Sequence, residues 1–221
     1  MSLWARSIYT EVPSLHFRGS DERKMVFLDI ETTSLSPRAG GVTLVGLTYA
    51  VPGGRVVEQH FVDHPRDEGR VLREAARRVA QVSTVVTYHG LGFDIPFLHA
   101  RADRHGSYWP DLQHWDLLPE ARRWRRTYRA PEDCRLQTVL EHFALDREDD
   151  TTGADMVAAY HRWLGKHCTD SRQILLEHNA DDVRLLPELA HVLSGHSRAR
   201  GQAPGGRVRR GRSQVELRLG N

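Results

Sequence analysis

The chain has 221 residues, of which 39% are hydrophobic, so it can build one domain with a buried core but not two large ones. It lacks the run of about 18 apolar residues that crosses a membrane, which excludes a membrane-spanning helix and predicts no membrane partner. The start of the chain has no secretory h-region, and Cys134 and Cys168 fit neither a zinc knuckle nor a disulfide framework, so we expect a cytoplasmic location.

The basic residues are distributed unevenly. The segment 195–221 holds seven arginines and one glutamate, whereas residues 1–194 hold 24 basic and 28 acidic side chains. A Gly/Arg-rich segment cannot bury an apolar core and is predicted to be disordered when free. We therefore divide the sequence into an N-terminal extension at 1–23, a folded domain at 24–194 and a basic tail at 195–221.

The predicted elements begin with strands and continue with helices. Residues 25–31 form an apolar run that ends in two acids and is typical of a strand covered on both faces. Further strands are expected within 7–12 and at 42–50, 55–62 and 84–88, and helices at 66–81, 94–104, 117–128, 136–144, 154–165 and 171–193. This order predicts an α/β fold with a mixed sheet.

Asp29 and Glu31 stand two residues apart at the end of the first apolar strand, so both side chains leave the same face. Adjacent carboxylates repel each other and lose hydration energy at a buried strand end unless a cation compensates them. The two interpretations are that the strand has ended and both acids face water, or that the pair binds a cation.

Two later segments add acids. Asp94 follows a Gly-rich turn at the start of a predicted helix, where it is either a helix N-cap or a ligand. At 100° per residue, His178 and Asp182 fall on the same apolar stripe as Leu175 and Leu186, so both are expected to be buried, whereas Asp181 is expected to face solvent. A buried His–Asp pair and a metal ligand beside a histidine that positions water both fit this pattern.

The order of these segments resembles a known superfamily. FLDIETT, YHGLGFDIPFL and EHNADDVRLL resemble the three exonuclease motifs of the DEDD superfamily, most closely its YprB-like branch of ribonuclease H-like domains. The resemblance runs from about Met25 to Leu193 and implies a ribonuclease H-like fold with a five-stranded mixed sheet flanked by helices. It also implies that Asp29 and Glu31, then Asp94, then Asp182 are the metal ligands of the three motifs.

Two positions depart from the superfamily pattern. Many relatives carry Asn where this chain has His89. The superfamily places a tyrosine four residues, or a histidine five residues, before its last Asp, whereas His178 lies four residues before Asp182. An imidazole there can orient or deprotonate the attacking water, which gives His178 a catalytic role.

The implied chemistry is phosphodiester hydrolysis with two divalent cations, Mg²⁺ or Mn²⁺, which prefer oxygen ligands and stabilise the extra negative charge of the reaction. The expected substrate is single-stranded DNA or RNA, and the expected activity is a 3′-to-5′ exonuclease. A structure-dependent endonuclease and a catalytically weakened nucleic-acid-binding or scaffold module remain alternatives. A phosphatase acting on small esters is disfavoured, because no phosphate-cradling loop or arginine clamp is recognisable.

Substrate contacts are expected around this site. Arg122 and Arg126 lie in a predicted helix and can contact phosphates, whereas Trp124 and Tyr128 share a stripe that favours core packing. The other candidate substrate-binding residues are Thr32, Thr33, His89 and Phe93. For the two threonines, the sequence is equally compatible with capping the turn after the strand.

Overall fold

The computed structural model describes residues 5–12, 15, 17, 21–145 and 151–195, together with the backbone of 213–216. The strands are β1 (Ala5–Glu11), β2 (Met25–Thr32), β3 (Val42–Val51), β4 (Gly54–Phe61), β5 (Thr84–Thr87), β6 (Gln113–Asp116) and β7 (Ser213–Glu216). The helices are α1 (Glu68–Val79), α2 (Asp94–Arg104), α3 (Leu118–Tyr128), α4 (Leu136–His142), α5 (Gly153–Lys166) and α6 (Thr169–Gly195). None of the helices in these ranges is long and apolar enough to cross a membrane.

The strands form one mixed sheet in the order β6-β5-β2-β3-β4-β1-β7. β2 pairs in parallel with β5, and β5 with β6, while the remaining pairs are antiparallel. The predicted α/β class and mixed sheet are confirmed, but the predicted count of five strands is wrong. The strands β6, β5, β2, β3 and β4 form the central part, and β1 extends it because the outer edge of β4 leaves backbone groups to pair.

The last strand comes from the segment that was predicted to be a disordered tail. The four residues of β7 pair antiparallel with β1, from Ser7 opposite Glu216 to Thr10 opposite Ser213. The described structure of the predicted tail is limited to these four residues. Residues 196–212 and 217–221 lie outside the described part of the chain, so the prediction stays a prediction there.

β2 is buried on both faces, as its apolar run predicted. Val26, Leu28 and Ile30 pack in one cluster with residues of α1 and α2, and Met25 and Phe27 pack on the opposite face with residues of α3 and α6. Because side chains alternate along a strand, Asp29 and Glu31 continue the face of Met25 and Phe27. The two acids therefore point towards α6.

α6 is buried along more of its surface than one stripe. The predicted stripe is confirmed, since its six members Leu175, His178, Asp182, Leu186, Leu189 and Leu193 are all buried. The expectation that Asp181 faces solvent is wrong, because Asp181 is 7% exposed and its Oδ1 accepts a hydrogen bond from Arg184 Nη2 at 2.8 Å. The helix packs against α5 as well as against the sheet, which widens its buried face.

Candidate metal centre

Three side chains of types that can bind a metal meet where β2 passes α6. Ligand atoms of Glu31, His178 and Asp182 all lie within 4.8 Å of one another, and all three residues are buried. His178 Nε2 lies 3.7 Å from Glu31 Oε1 and 3.7 Å from Asp182 Oδ2, so the imidazole faces the gap between the two carboxylates. His178 Nδ1 lies 2.8 Å from Thr151 Oγ1, which fixes the plane of the ring.

Asp29 is held next to this group by α6. Asn179 Nδ2 donates to Asp29 Oδ2 at 3.0 Å, and Asn179 Oδ1 accepts from Gln59 Nε2 at 3.0 Å. Asn179 is fully buried against β3, at a point where a Cβ on Gly46 would overlap its amide. Asn179 was not among the site residues predicted from the sequence, although its place between His178 and Asp182 was the available signal.

Asp94 contacts β2 from α2, which packs on the face of the sheet opposite to α6. It is the first residue of α2, after Phe93 at the N-cap, and its Oδ1 accepts a hydrogen bond from the backbone N–H of Ile30 at 3.2 Å. Its carboxylate thus contacts the strand residue between Asp29 and Glu31 as well as its own backbone N–H, and Phe93 occupies the N-cap position. The N-cap interpretation of Asp94 is therefore wrong.

The environment of Asp94 favours its neutral form in the absence of a cation. Burial raises the pKa of Asp94 to about 7, and the negative charges of Asp116 and Asp182 add to this effect, against hydrogen bonds from backbone amides. A cation beside the carboxylate would favour the ionised form instead. Oxygen-rich, closely spaced carboxylates are the donor set that Mg²⁺ and Mn²⁺ prefer, so these residues fit the implied ions.

Asp116 organises the loop that leads into Asp94. Its carboxylate accepts hydrogen bonds from the backbone N–H groups of His89 at 2.8 Å, Leu91 at 3.1 Å and Leu118 at 3.0 Å. His89 has a φ of 68°, in the left-handed region where Asn, Asp and His are the most frequent non-glycine residues. A His in place of the relatives' Asn is therefore compatible with the same loop conformation.

The residues predicted to contact substrate have different surroundings. Thr32 Oγ1 donates to Ser34 O at 2.9 Å, and Thr33 Oγ1 accepts from Gly41 N at 2.9 Å, so both hydroxyls take part in the turn after β2. Phe93 is half-buried, with its ring centroid 5.5 Å from that of Phe97. The remaining three, His89, Arg122 and Arg126, are exposed.

The helix with these two arginines has one buried side. Trp124 is 8% exposed and belongs to the core, whereas Tyr128 is 47% exposed and stacks on Trp124 with ring centroids 4.4 Å apart. The prediction of core packing is confirmed for Trp124 and is wrong for Tyr128, which lies at the last turn of α3 and covers Trp124 from the solvent side.

Comparison with known proteins gives matches to one family model and to solved structures. The family B DNA polymerase of Pyrobaculum calidifontis is 22% identical, with a TM-score of 0.61 over 76% of this chain and 24% of that chain. NrnC of Brucella melitensis is 19% identical, with a TM-score of 0.49 over 79% and 75% of the two chains. E. coli ExoI, in its zinc-bound complex with ssDNA, is 15% identical, with a TM-score of 0.44 over 68% and 42%.

The polymerase similarity shows a shared fold, and the chain spans about a quarter of that polymerase's length. No curated protein matches the chain. The family model RNase_H_2, described as RNase_H superfamily, matches residues 26–194, which include all of the candidate metal ligands. This confirms the resemblance found in the sequence, and the chain belongs to the RNase_H superfamily.

Proposed function

We propose that the chain is a metal-dependent nuclease that hydrolyses phosphodiester bonds of single-stranded nucleic acid as a 3′-to-5′ exonuclease. The observation that carries the proposal is the convergence of Glu31, His178 and Asp182 within 4.8 Å, beside Asp29 and Asp94 at the same strand end. Four carboxylates without compensation would repel each other at this depth. Their arrangement is one that cations stabilise.

The four acids would hold two divalent cations, with Asp29, Glu31, Asp94 and Asp182 as ligands. When bound, such ions polarise the phosphodiester, lower the pKa of water and stabilise the leaving oxygen. Asn179 orients the Asp29 carboxylate, and the N–H of Ile30 orients that of Asp94. The chain thereby presents a fixed set of oxygens before the substrate arrives.

His178 would act as the base for the attacking water. If its Nδ1 donates to Thr151 Oγ1, then Nε2 is the acceptor and faces the gap between Glu31 and Asp182. Both carboxylates are 3.7 Å away, a separation that favours a bridging water over direct hydrogen bonds. Nε2 can then accept the proton that the water loses as its oxygen attacks phosphorus.

Two exposed leucines are suited to contact the bases of a single-stranded nucleic acid. Leu35 lies in the loop after β2 and is 87% exposed, and Leu91 lies in the loop before Asp94 and is 58% exposed. Both loops adjoin the acids, so the leucines offer apolar contact to bases that have no pairing partner. Neither leucine was predicted from the sequence, because an exposed leucine in a turn belongs to no periodic pattern.

The test is degradation of a 5′-labelled single strand, as DNA and as RNA, with Mn²⁺, Mg²⁺ or EDTA. A ladder of shortening labelled products that needs metal supports the proposal. Asp29→Asn should abolish the ladder, while Asp181→Asn, which removes a buried carboxylate paired with Arg184, is the matched control. Internal cleavage without a ladder would indicate an endonuclease, and binding of an intact strand in every metal would indicate a weakened binding module.

A further inference from the structure

A cavity opens next to the loop that follows β2, between this loop and the helices α1, α2 and α5. Its volume is about 380 Å³, within the range of pockets that hold small ligands. The loop contributes Thr33 and Arg38, α2 contributes Arg101 and Arg104, and α5 contributes Tyr160. This site is separate from the carboxylates that would hold metal.

The base of the cavity is held rigid by Glu68, the first residue of α1. Its carboxylate accepts hydrogen bonds from Arg101 Nε at 2.8 Å and from the backbone N–H of Val42 at 2.8 Å, and it lies 2.9 Å from His105 Nε2. Burial alone would raise the pKa of Glu68, but these hydrogen bonds lower it below its ordinary value. Glu68 is thus ionised and compensates Arg101.

Two positive charges remain at the mouth. Arg38 and Arg104 line the cavity and are exposed, and within the described residues neither guanidinium takes part in an ion pair or a side-chain hydrogen bond. A guanidinium presents several N–H donors in a planar fork that matches the oxygens of a phosphate. The cavity therefore combines a base held by Glu68 with two guanidinium groups at its mouth that can bind a phosphate.

The pocket lies close enough to the metal centre to take the same strand. Thr33, which lines the cavity, follows Glu31 by two residues. It therefore lies about 7 Å from Glu31 along the extended chain. Arg104 ends the helix that begins at Asp94, and ten residues of helix span about 15 Å. A strand with its scissile bond at the carboxylates can reach the pocket within a few nucleotides.

We propose that this pocket binds one nucleotide unit of the nucleic-acid strand, with its phosphate between Arg38 and Arg104. The inference rests on the proposed function and deepens it, because it assigns a second binding site to the same substrate. Contact to a phosphate carries no base preference, so the pocket would position the strand without selecting its sequence. A free mononucleotide has the same chemistry and is the alternative source of the phosphate.

The test is binding of a fluorescent single strand in EDTA, where no cleavage occurs, at several salt concentrations. The variants are Arg38→Glu, Arg104→Glu and their combination, with Arg104→Gln as a milder substitution. Arg73→Glu is the matched control for the two single Arg→Glu variants, because Arg73 is exposed on α1, does not line the pocket and undergoes the same charge change as each of them. Adenosine monophosphate is titrated in parallel.

We expect the double variant to bind the strand about tenfold or more weakly, and to lower the slope of log K against log salt by about 1, while Arg73→Glu behaves as wild type. Equal affinity and slope in the double variant and the control would overturn the inference, and retained metal-dependent cleavage would leave the proposed function intact. Arginine-dependent binding of the mononucleotide alone would overturn it in favour of a free-nucleotide site. A wild-type chain that binds no strand in EDTA would overturn the inference, whereas the proposed function is judged separately, by the metal-dependent cleavage assay.

Discussion

The side-chain amide of Asn179 on α6 donates a hydrogen bond to Asp29 Oδ2 on β2 at 3.0 Å. The amide is itself oriented by Gln59 Nε2, 3.0 Å from its oxygen. α6 therefore supplies His178 and Asp182 to the candidate metal centre and also sets the direction of a carboxylate on the neighbouring strand. A partner of this kind typically changes metal affinity by 10–100-fold when it is removed.

Gly46→Ala tests this orientation without changing any charged residue. Gly46 pairs with Asp29 across β2 and β3, and an added Cβ overlaps the amide of Asn179. We expect Mn²⁺ affinity, measured by calorimetric titration, to fall about 10–100-fold, with a similar loss in Asn179→Ala. Gly165→Ala is the control, because a Cβ there meets nothing within 4 Å. Wild-type Mn²⁺ affinity in both site variants would contradict the positioning role of Asn179.

His178→Ala should lower kcat about 10²–10⁴-fold, the range for loss of a general base, while Mn²⁺ affinity changes little. Thr151→Val removes the partner of Nδ1 but keeps the ring, so we expect a smaller loss of kcat, on the order of tenfold. Single-turnover rates and Mn²⁺ titrations of the same protein samples separate the two effects. If metal affinity fell as far as the rate, His178 would be a ligand instead of a base.

Arg122 and Arg126 lie on the exposed side of α3, opposite the buried Trp124. Reversing both charges should weaken single-strand binding and lower its salt slope by about 1 for each phosphate that the protein no longer neutralises. The measurement is a salt titration of fluorescence anisotropy, in which each single reversal is also compared with Arg73→Glu on α1, which carries the same change of charge. An unchanged salt dependence of binding would show that these arginines do not contact the phosphates of the substrate.

Glu58 predicts a pH dependence of stability. Burial raises its pKa, but hydrogen bonds involving His60 and Tyr49 and the charge of Arg78 outweigh this and lower the pKa to about 2, from an ordinary 4.5. Because the folded-state pKa is the lower one, the stabilisation is complete above the unfolded-state value and is lost as pH falls towards 2.

We therefore expect the free energy of unfolding of wild type to fall by up to about 3 kcal/mol more than that of Glu58→Gln between pH 5 and pH 2. Urea unfolding at several pH values measures this difference. Glu132 is an exposed glutamate, so Glu132→Gln should show the same change of unfolding free energy with pH as wild type. Parallel slopes for wild type and Glu58→Gln would show that the network around Glu58 contributes no pH-dependent stability.

The sequence was sufficient to predict the elements that carry the motifs. β2 was recognisable as an apolar run covered on both faces, and the spacing of α6 placed His178 and Asp182 on its buried side. These features are local, because strand alternation and helical periodicity fix side-chain direction without reference to the rest of the chain.

The missed features depend on contacts between distant segments. β6 has the sequence QHWD and no apolar alternation, and it is a strand because it pairs in parallel with β5. Asp181 is buried although it lies to one side of the predicted stripe, because periodicity gives the direction of a buried face but not its width. The partnership of Asn179 with Asp29 joins residues 150 positions apart, beyond any local pattern.

An anomalous-difference map from crystals grown with Mn²⁺ would locate the cations at the candidate metal centre. We predict two peaks at the end of β2, contacted by the carboxylates of Asp29, Glu31, Asp94 and Asp182, and no peaks at this position in Asp29→Asn crystals. Ordered density for these four side chains without a Mn²⁺ peak among them would contradict the proposed metal centre and the two-metal nuclease with it.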